Sequence, residues 1–474
     1  MERTENMLPD IASELNQEQN GIAVIRDSLI RTEKGSIANS IQNCKTVLER
    51  DPVLKNSIRK NLMTGQTDLV NPVYWPRTGI MLTDTDQKNI ELRLENCYHL
   101  TSEKKIAKAV SIVANENQYH PVREFLSGLV WDGTPRIRFA LHHFLGADVS
   151  DFNEECLRVF MLGAAHRAFQ PGSKFELMLC LVGGQGAGKS TFFRLLAVKD
   201  EWFSDDLKKL DDENVYRKLQ GHWIIEMSEM IATASARSIE EIKAFLSRQK
   251  ETYKLPYEVH PEDRPRQCVF AGTTNRLDFL PRDRTGNRRF LPVPVCPELA
   301  EQHPLENEAA SREYISQMWA EIMVQYRSGN YTLRLSAESE KLLRTNQKEF
   351  TQEDVWAGMI YAFIQDYKGD YLCSRQLYRE ALQRSNDPEG RETREICEIV
   401  NTGIASGEVT GWCQLKNARR FGAYGTQRGW ERIPVNKEGH DNVNTEKAEQ
   451  MSFIVVHDLP DLPWREDGPV DTAS

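Results

Sequence analysis

The chain has 474 residues, of which 40% are hydrophobic and 27% charged, and its formal net charge is −10. This length allows two to four domains with separate cores, and the composition is that of an ordinary globular protein. The negative charge excludes a uniformly basic nucleic-acid binder, although it leaves room for a local basic groove.

The N-terminal residues are polar, and no apolar stretch is long enough for a signal peptide or a membrane span. We therefore expect a cytoplasmic protein with no membrane partner. The nine cysteines include no C-x-x-C pair, which favours reduced thiols over disulfides or zinc ligands.

In the first 170 residues, apolar side chains recur at helical intervals. The pattern predicts a helical lead-in over residues 1–69 and a mostly helical N-terminal domain over 70–170. Asp84 and Asp86 form a D-x-D pair, which could bind a metal in a primase or polymerase. One such pair among 70 acidic residues is more typical of a loop or a helix cap, so we predict no primase site here.

Residues 177–191 read Leu-Met-Leu-Cys-Leu-Val-Gly-Gly-Gln-Gly-Ala-Gly-Lys-Ser-Thr, an apolar run followed by a glycine-rich turn and a helix start. The spacing G-x-x-x-x-G-K-[ST] after a strand is typical of a P-loop, whose backbone N–H groups bind phosphates. Lys189 is expected to contact the β- and γ-phosphates of ATP and Ser190 to bind Mg²⁺. The predicted nucleotide-binding residues are Gly183, Gly184, Gln185, Gly186, Ala187, Gly188, Lys189, Ser190 and Thr191.

The P-loop opens a predicted ATPase core over residues 171–300, and the segment 222–229 is its second feature. It reads as an apolar strand that ends in acids. A carboxylate at the end of a neighbouring strand can bind Mg²⁺, and a second can orient the attacking water. We assign Glu226 to the metal and Glu229 to the water, although the two roles could be reversed or shared. The alternative is an edge strand followed by a charged turn.

Two further features follow in the core. Asn275 ends a second buried strand, where it could reach the γ-phosphate or its water as a polar sensor; the alternative is a turn asparagine. Arg288 and Arg289 follow in a basic turn and suit an arginine finger supplied by a neighbouring subunit. If one of them is the finger, the active form is an oligomer. The alternative is a solvated basic turn.

The segment 247–260, between the acidic strand and Asn275, mixes aromatic and basic residues. It predicts a hairpin that binds DNA, with Tyr253 stacking on bases and Lys254 contacting the phosphate backbone. Similar residues also occur in ordinary hairpins, so this pattern alone is weak evidence.

The C-terminal third predicts three regions. Residues 301–349 continue as a helical extension, and residues 436–474 form an acidic tail that we expect to be largely disordered. Between them, residues 350–435 show three helical patterns followed by a basic, aromatic turn-rich part. This arrangement is compatible with a winged-helix domain that binds duplex or forked DNA, or with a protein-docking domain.

Several short motifs now resemble one family. They are His120-Pro-Val-Arg-Glu-Phe-Leu, Trp131-Asp-Gly-Thr-Pro-Arg136, Gly183 to Ser190, Trp223-Ile-Ile-Glu226, Gly272-Thr-Thr-Asn275 and Thr285-Gly-Asn-Arg-Arg289. In this order they resemble the virulence-associated E family of phages, prophages and pathogenicity islands, which is similar to superfamily-3 helicases. The resemblance covers roughly residues 70–330.

The resemblance implies an α/β fold with an AAA+-like P-loop core. It further implies assembly as a hexameric ring that moves along single-stranded DNA in a bacterial host cell. It places Lys189 and Ser190 on the P-loop, Glu226 on the acidic strand, Asn275 on the sensor, Arg288 or Arg289 on the finger and Lys254 on the DNA hairpin. Two features depart from the family: the acids at 226 and 229 are not adjacent, and no primase domain precedes the core. The second departure makes priming activity unexpected.

Three hypotheses follow. The first is an ATP- and Mg²⁺-dependent DNA helicase or translocase that acts on single-stranded or forked DNA during replication of a mobile element. The second is a P-loop ATPase that loads, remodels or interferes with host or phage replication proteins without unwinding DNA. The third is a nucleotide-gated protein that recognises an origin through its C-terminal domain.

Overall fold

The computed structural model describes residues 19–207, 210, 215–228, 236–254, 260–280, 287–350 and 355–433. The predicted acidic tail lies outside this range. The described residues up to 350 belong to one compact unit and residues 355–433 to a second. No helix in the described ranges is long and apolar enough to cross a lipid bilayer. All nine cysteines fall within the described ranges and are free thiols.

The first unit begins with helical residues 19–28 and a small α/β layer. Its helices are α1 (Ile41–Arg50), α2 (Asp84–Tyr98) and α3 (Glu103–Glu116), and its strands are β1 (Ile58–Asn61), β2 (Thr67–Leu69) and β3 (Gln118–Tyr119). The strands form one sheet in the order β2-β1-β3. A single core runs from Ile25 to Ala114, so the predicted division at residue 69 does not separate two cores, and the lead-in is not entirely helical.

The D-x-D pair lies at the start of α2. Thr83 caps this helix, and the carboxylate of Asp86 accepts a hydrogen bond from the backbone N–H of Thr83, which completes a capping box. Asp86 also accepts from Trp75 Nε1 at 2.7 Å and forms an ion pair with Arg77 at 2.9 Å. The prediction of a helix cap is therefore confirmed, and the carboxylate of Asp86 stabilises the start of α2 through contacts with Trp75 and Arg77.

Three helices connect this layer to the central sheet. They are α4 (Pro121–Gly128), α5 (Ile137–Leu145) and α6 (Asp151–Phe169). His120 caps α4 through Nδ1 and contacts Gln267 through Nε2 at 2.6 Å, and burial lowers its pKa to about 4. Asp132 and Arg136 form an ion pair at 2.7 Å within one turn. The two motifs that precede the glycine-rich loop thus position helices.

The central sheet has five parallel strands in the order β10-β4-β9-β6-β5. The strands are β4 (Met178–Val182), β5 (Phe203–Ser204), β6 (Ile224–Ser228), β9 (Val269–Thr274) and β10 (Phe290–Pro294). Strands β4 and β9 are buried along their whole length, as expected for a parallel sheet covered on both faces. A mixed α/β class with a parallel sheet is therefore confirmed.

Helices cover this sheet, and a separate hairpin extends from it. The helices are α7 (Lys189–Leu196), α8 (Val215–Leu219), α9 (Ala236–Leu246), α10 (Glu308–Ser328) and α11 (Ala337–Glu349), and the hairpin strands are β7 (Lys250–Tyr253) and β8 (Glu262–Pro265). The buried Arg167 of α6 donates to the carbonyls of Phe175 and Cys268, at 2.6 and 2.7 Å. Trp319 of α10 donates to the Leu196 carbonyl at 2.9 Å, so both long helices are fixed to the sheet layer.

The second unit alternates helices and short strands. Its elements are α12 (Val355–Asp366), β11 (Tyr371–Cys373), α13 (Ser374–Gln376) continued by a π-turn (Leu377–Ala381), α14 (Gly390–Ser406), β12 (Trp412–Gln414), β13 (Arg419–Arg420), β14 (Thr426–Gln427) and β15 (Gly429–Arg432). Strands β11, β15 and β12 form an antiparallel sheet with β15 in the centre. Its core contains Ile360, Leu377, Ile396 and Trp430.

Candidate active site

The glycine-rich loop (residues 183–188) leaves the carboxyl end of β4 and enters α7 directly. Gly188 caps the helix with a φ of 77°, which is the left-handed region that favours glycine. A Cβ on Gly183 would lie 2.5 Å from the Val295 carbonyl oxygen, so a larger residue would clash with the backbone after β10. The loop therefore presents its N–H groups at the start of a helix, where an anion is favoured.

The ammonium of Lys189 turns back into this loop. Its Nζ donates to the carbonyl oxygens of Gly183 and Gly184, at 2.7 and 2.6 Å, and to Asn275 Oδ1 at 2.9 Å. The side chain is buried, with a residue exposure of 7%. These contacts bring together two predicted site residues, Lys189 and Asn275, from α7 and from the end of β9.

Glu226 lies at the centre of a hydroxyl cluster. Its Oε1 accepts hydrogen bonds from Ser190 at 2.8 Å, from Ser228 at 2.9 Å and from Thr273. Residues 226 and 228 share one face of β6, and Ser228 is in register with Thr273 of β9, which explains why these side chains meet. The carboxylate is fully buried.

The second oxygen of Glu226 is different. Among the described residues, no hydrogen-bond donor reaches Oε2, although it is buried. An unpaired buried carboxylate oxygen is unfavourable in the absence of a cation or water. The pair of Ser190 and Glu226 offers two oxygen ligands of the kind that Mg²⁺ prefers, so these residues fit the predicted metal. In the described part of the chain, no three histidine, cysteine or carboxylate groups form a metal-binding cluster.

A cavity of about 390 Å³ opens beside these groups. It is lined by the second half of the loop and the first turn of α7, together with Ser228, Thr273, Asn275 and His303. Sequence reasoning missed Ser228, Thr273 and His303. Ser228 and Thr273 were detectable as hydroxyl residues at the ends of neighbouring strands, whereas no sequence signal indicated that the segment after β10 brings His303 to Gly188.

Arg288 and Arg289 lie at the opposite edge of the sheet. Phe290, the next residue, pairs with Met178 at the amino ends of two parallel strands, while the loop leaves the carboxyl end. Five residues of strand separate the two edges, which is roughly 13 Å. Neither arginine is therefore placed to reach the cavity beside the glycine-rich loop of its own chain.

The two arginines also differ from each other. Arg289 Nε lies 3.2 Å from both Glu176 Oε2 and Ser247 Oγ, and its side chain is 20% exposed. Burial alone would raise the pKa of Glu176, but the Ser247 hydrogen bond and the charge of Arg289 lower it below its usual value. The Arg288 side chain is 74% exposed, and its distance to Glu176 is longer, at 3.9 Å. Arg288 is thus the arginine available to another molecule.

The predicted DNA hairpin, here the core hairpin, is formed by β7 and β8. Lys254 is exposed at the end of β7. The ring of Tyr253 stacks on Tyr216 with centroids 6.1 Å apart, and the guanidinium of Arg264 lies 5.2 Å from its centroid. Tyr253 is therefore occupied by contacts within its own chain. Glu229, the second predicted acid, lies outside the described residues.

A comparison with protein families connects this geometry to known sequences. The sequence model of the virulence-associated protein E-like domain matches residues 126–352. Residues 126–352 are therefore similar to virulence-associated protein E-like domains. The resemblance inferred from the motifs is confirmed, although the match begins later and ends later than the range of about 70–330. The matched range contains the glycine-rich loop, Glu226, Asn275, the core hairpin and both arginines.

Other comparisons add only a distant likeness. No curated protein matches this chain. Two apo structures of the C-terminal region of NrS-1 are 12% and 13% identical to it, each with a TM-score of 0.45. They cover 80% and 84% of this chain and 96% and 100% of the NrS-1 chains. A third apo structure of that region has a TM-score of 0.43 at 12% identity.

Proposed function

We propose that this protein is an ATP-hydrolysing motor that moves along single-stranded or forked DNA during replication of a phage, prophage or other mobile element. The observation that supports it best is the convergence of Lys189, Ser190, Glu226 and Asn275 at the carboxyl edge of a parallel sheet. In open α/β sheets, this edge is where ligands bind. We identify the glycine-rich loop as a P-loop, the core as AAA+-like and the second unit as a winged helix.

Each site residue has its own proposed role in ATP binding and hydrolysis. The N–H groups of the P-loop bind the phosphates of ATP, and Lys189 exchanges its loop carbonyls for the β- and γ-phosphates. Ser190 and Glu226 would hold Mg²⁺, which neutralises phosphate charge when it is bound. Glu226, or Glu229 in its place, orients the attacking water, and Asn275 donates to the γ-phosphate or to this water.

Arg288 is proposed to complete the site of the next subunit in a ring, for which a hexamer is the expected form. Its position at the opposite edge of the sheet suits this role, because an arginine finger in trans must face away from its own P-loop. We expect Arg288→Ala to bind ATP normally and to hydrolyse it about 1,000-fold more slowly. Nucleotide titration and steady-state ATPase assays separate the two effects.

The same variant tests whether Arg288 of one subunit acts in the site of another. Mixing Arg288→Ala with Lys189→Ala should restore part of the activity, because the intact Arg288 of one subunit can serve the intact P-loop of the other. Arg289→Ala is the matched control, and it should mainly lower thermal stability because it loses Glu176 and Ser247. Absence of rescue at every mixing ratio would contradict a finger in trans.

We propose that Lys254 contacts the phosphates of DNA. We expect single-stranded DNA to stimulate hydrolysis by the wild type, with a stimulation that fades as salt rises because phosphate contacts release counterions. Lys254→Ala should keep basal hydrolysis and lose most of the stimulation. Lys250→Ala is the matched control on the same hairpin, because Lys250 already pairs with Asp263 within the chain. Steady-state ATPase assays across a salt series measure all three proteins.

A second candidate is an ATPase that loads or remodels replication proteins without unwinding DNA. The internal stacking of Tyr253 favours it, since this contact removes one predicted base-binding group from the core hairpin. ATP hydrolysis that is indifferent to DNA at every salt concentration would support this candidate over the motor.

A further inference from the structure

Charge is unevenly distributed in the second unit. The segment 409–433 holds five cations and one acid: Lys416, Arg419, Arg420, Arg428, Arg432 and Glu431. By contrast, α14 holds two arginines, Arg391 and Arg394, and three glutamates, Glu392, Glu395 and Glu398. A polyanion is therefore attracted to residues 409–433 and repelled by the excess negative charge of α14.

The C-terminal hairpin (residues 415–428) contains most of this positive charge. It consists of β13, a 3₁₀ turn (Gly422–Tyr424) and β14. The hairpin is fixed to the rest of the unit: Arg375 donates to the Tyr424 carbonyl at 3.4 Å, and Ser374 donates to Gln427 Oε1 at 3.0 Å. The ring of Tyr371 lies under the guanidinium of Arg419, 3.4 Å from its carbon. The hairpin thus projects its side chains from a packed base.

Three cations of the C-terminal hairpin have no role in this packing. Lys416, Arg420 and Arg428 are all exposed. Within residues 355–433, none of the three forms an ion pair, and the acids nearest to them in sequence, Glu408 and Glu431, both lie outside the hairpin. Exposed cations of this kind on one short hairpin are the groups that contact a phosphate backbone.

The aromatic side chains indicate which kind of nucleic acid fits. Trp412, Phe421 and Trp430 are buried, and Tyr371 is covered by Arg419. Single-strand binding requires exposed rings on which bases stack. In the hairpin, Phe421 is buried and Tyr424 is half-buried, with its hydroxyl donating to Glu380. A two-stranded β-ribbon with basic side chains suits the grooves and phosphates of a duplex.

We propose that the C-terminal hairpin binds the phosphate backbone of duplex DNA through Lys416, Arg420 and Arg428, and that α14 does not enter a groove. This mode differs from that of the helix-turn-helix, in which the second helix of the motif contacts the bases. The binding needs no nucleotide, so it stands or falls independently of the ATPase proposal.

The test measures fluorescence anisotropy of a labelled blunt duplex with the full-length protein, without nucleotide, over a salt series. The triple variant Lys416→Ala, Arg420→Ala, Arg428→Ala should bind at least about tenfold more weakly at low salt, and the slope of log affinity against log salt should fall by about 2 to 3. Arg384→Ala, Arg391→Ala, Arg394→Ala is the control, because it removes the same charge from exposed positions in and before α14.

Each outcome decides the proposal. The proposal is supported if the affinity for duplex DNA falls in the hairpin triple variant and not in the control. The variant Arg420→Lys, Arg428→Lys, which keeps the charge, should then retain its duplex affinity. An equal loss of duplex affinity in the control variant would overturn the proposal, because the effect would then reflect the net charge of the protein. An equal loss of affinity for single-stranded DNA of the same length would also overturn it, because the hairpin would then not distinguish a duplex from a single strand. Unchanged thermal unfolding of the hairpin variant shows that the comparison concerns folded protein.

Discussion

Lys189→Ala is expected to lower ATP hydrolysis by about 100- to 1,000-fold, the usual cost of removing a phosphate-stabilising donor from a site that excludes water. The ammonium of Lys189 is buried and already contacts three oxygens in the glycine-rich loop and at Asn275. Alanine leaves the loop without the charge that attracts the β- and γ-phosphates. Titration with a fluorescent ATP analogue should therefore show weak binding as well as slow turnover.

The control for this variant lies beyond the other end of α7. Lys199 is 56% exposed and pairs with Glu201, so Lys199→Ala removes a lysine charge without touching the cavity. It should bind and hydrolyse ATP as the wild type does. If Lys189→Ala bound ATP with unchanged affinity, the glycine-rich loop would not be the phosphate site.

Glu226→Gln is expected to separate binding from hydrolysis. The substitution keeps the shape of the side chain and removes its charge, so ATP should still bind, while single-turnover hydrolysis should fall by at least about 100-fold. The physical reason is the carboxylate itself, because a neutral amide binds a divalent cation more weakly and does not accept a proton from water. Rapid-quench measurement of one turnover, with ATP binding measured in parallel, gives both quantities.

The stability of this variant provides a second readout. Glu226 is fully buried and one of its oxygens has no donor among the described residues. Because a buried, incompletely paired charge is unfavourable, Glu226→Gln should not lower the melting temperature of the nucleotide-free protein. A loss of activity together with a loss of stability would indicate a structural role. Glu229→Gln is the comparison for the second acid, and unchanged hydrolysis in Glu226→Gln would move the catalytic role to it.

Much of the fold and of the site could be predicted from local patterns. The spacing around Lys189 implies a strand, a loop and a helix, and the structure has β4, the loop and α7 at these positions. Likewise, the acid of Glu226 and the amide of Asn275 follow apolar runs that form adjacent parallel strands. Short-range periodicity was sufficient because these elements are buried and continuous.

Other features depend on contacts that no local pattern encodes. The core that spans residue 69 joins helices and strands from both sides of the expected boundary, and a sequence pattern does not specify which elements pack together. The segment that brings His303 to the cavity is irregular and carries no motif. The difference between Arg288 and Arg289 arises from Glu176 and Ser247, which are distant in sequence and meet them only in the folded chain.

The contacts of Lys189 also describe the protein without a ligand in its glycine-rich loop. Its buried ammonium has three oxygen acceptors in this state, so an empty loop does not leave a buried charge unpaired. If the loop binds ATP as we propose, the phosphates must displace these acceptors. The free energy of losing them then offsets part of the gain from phosphate binding, and regaining them favours release of the nucleotide.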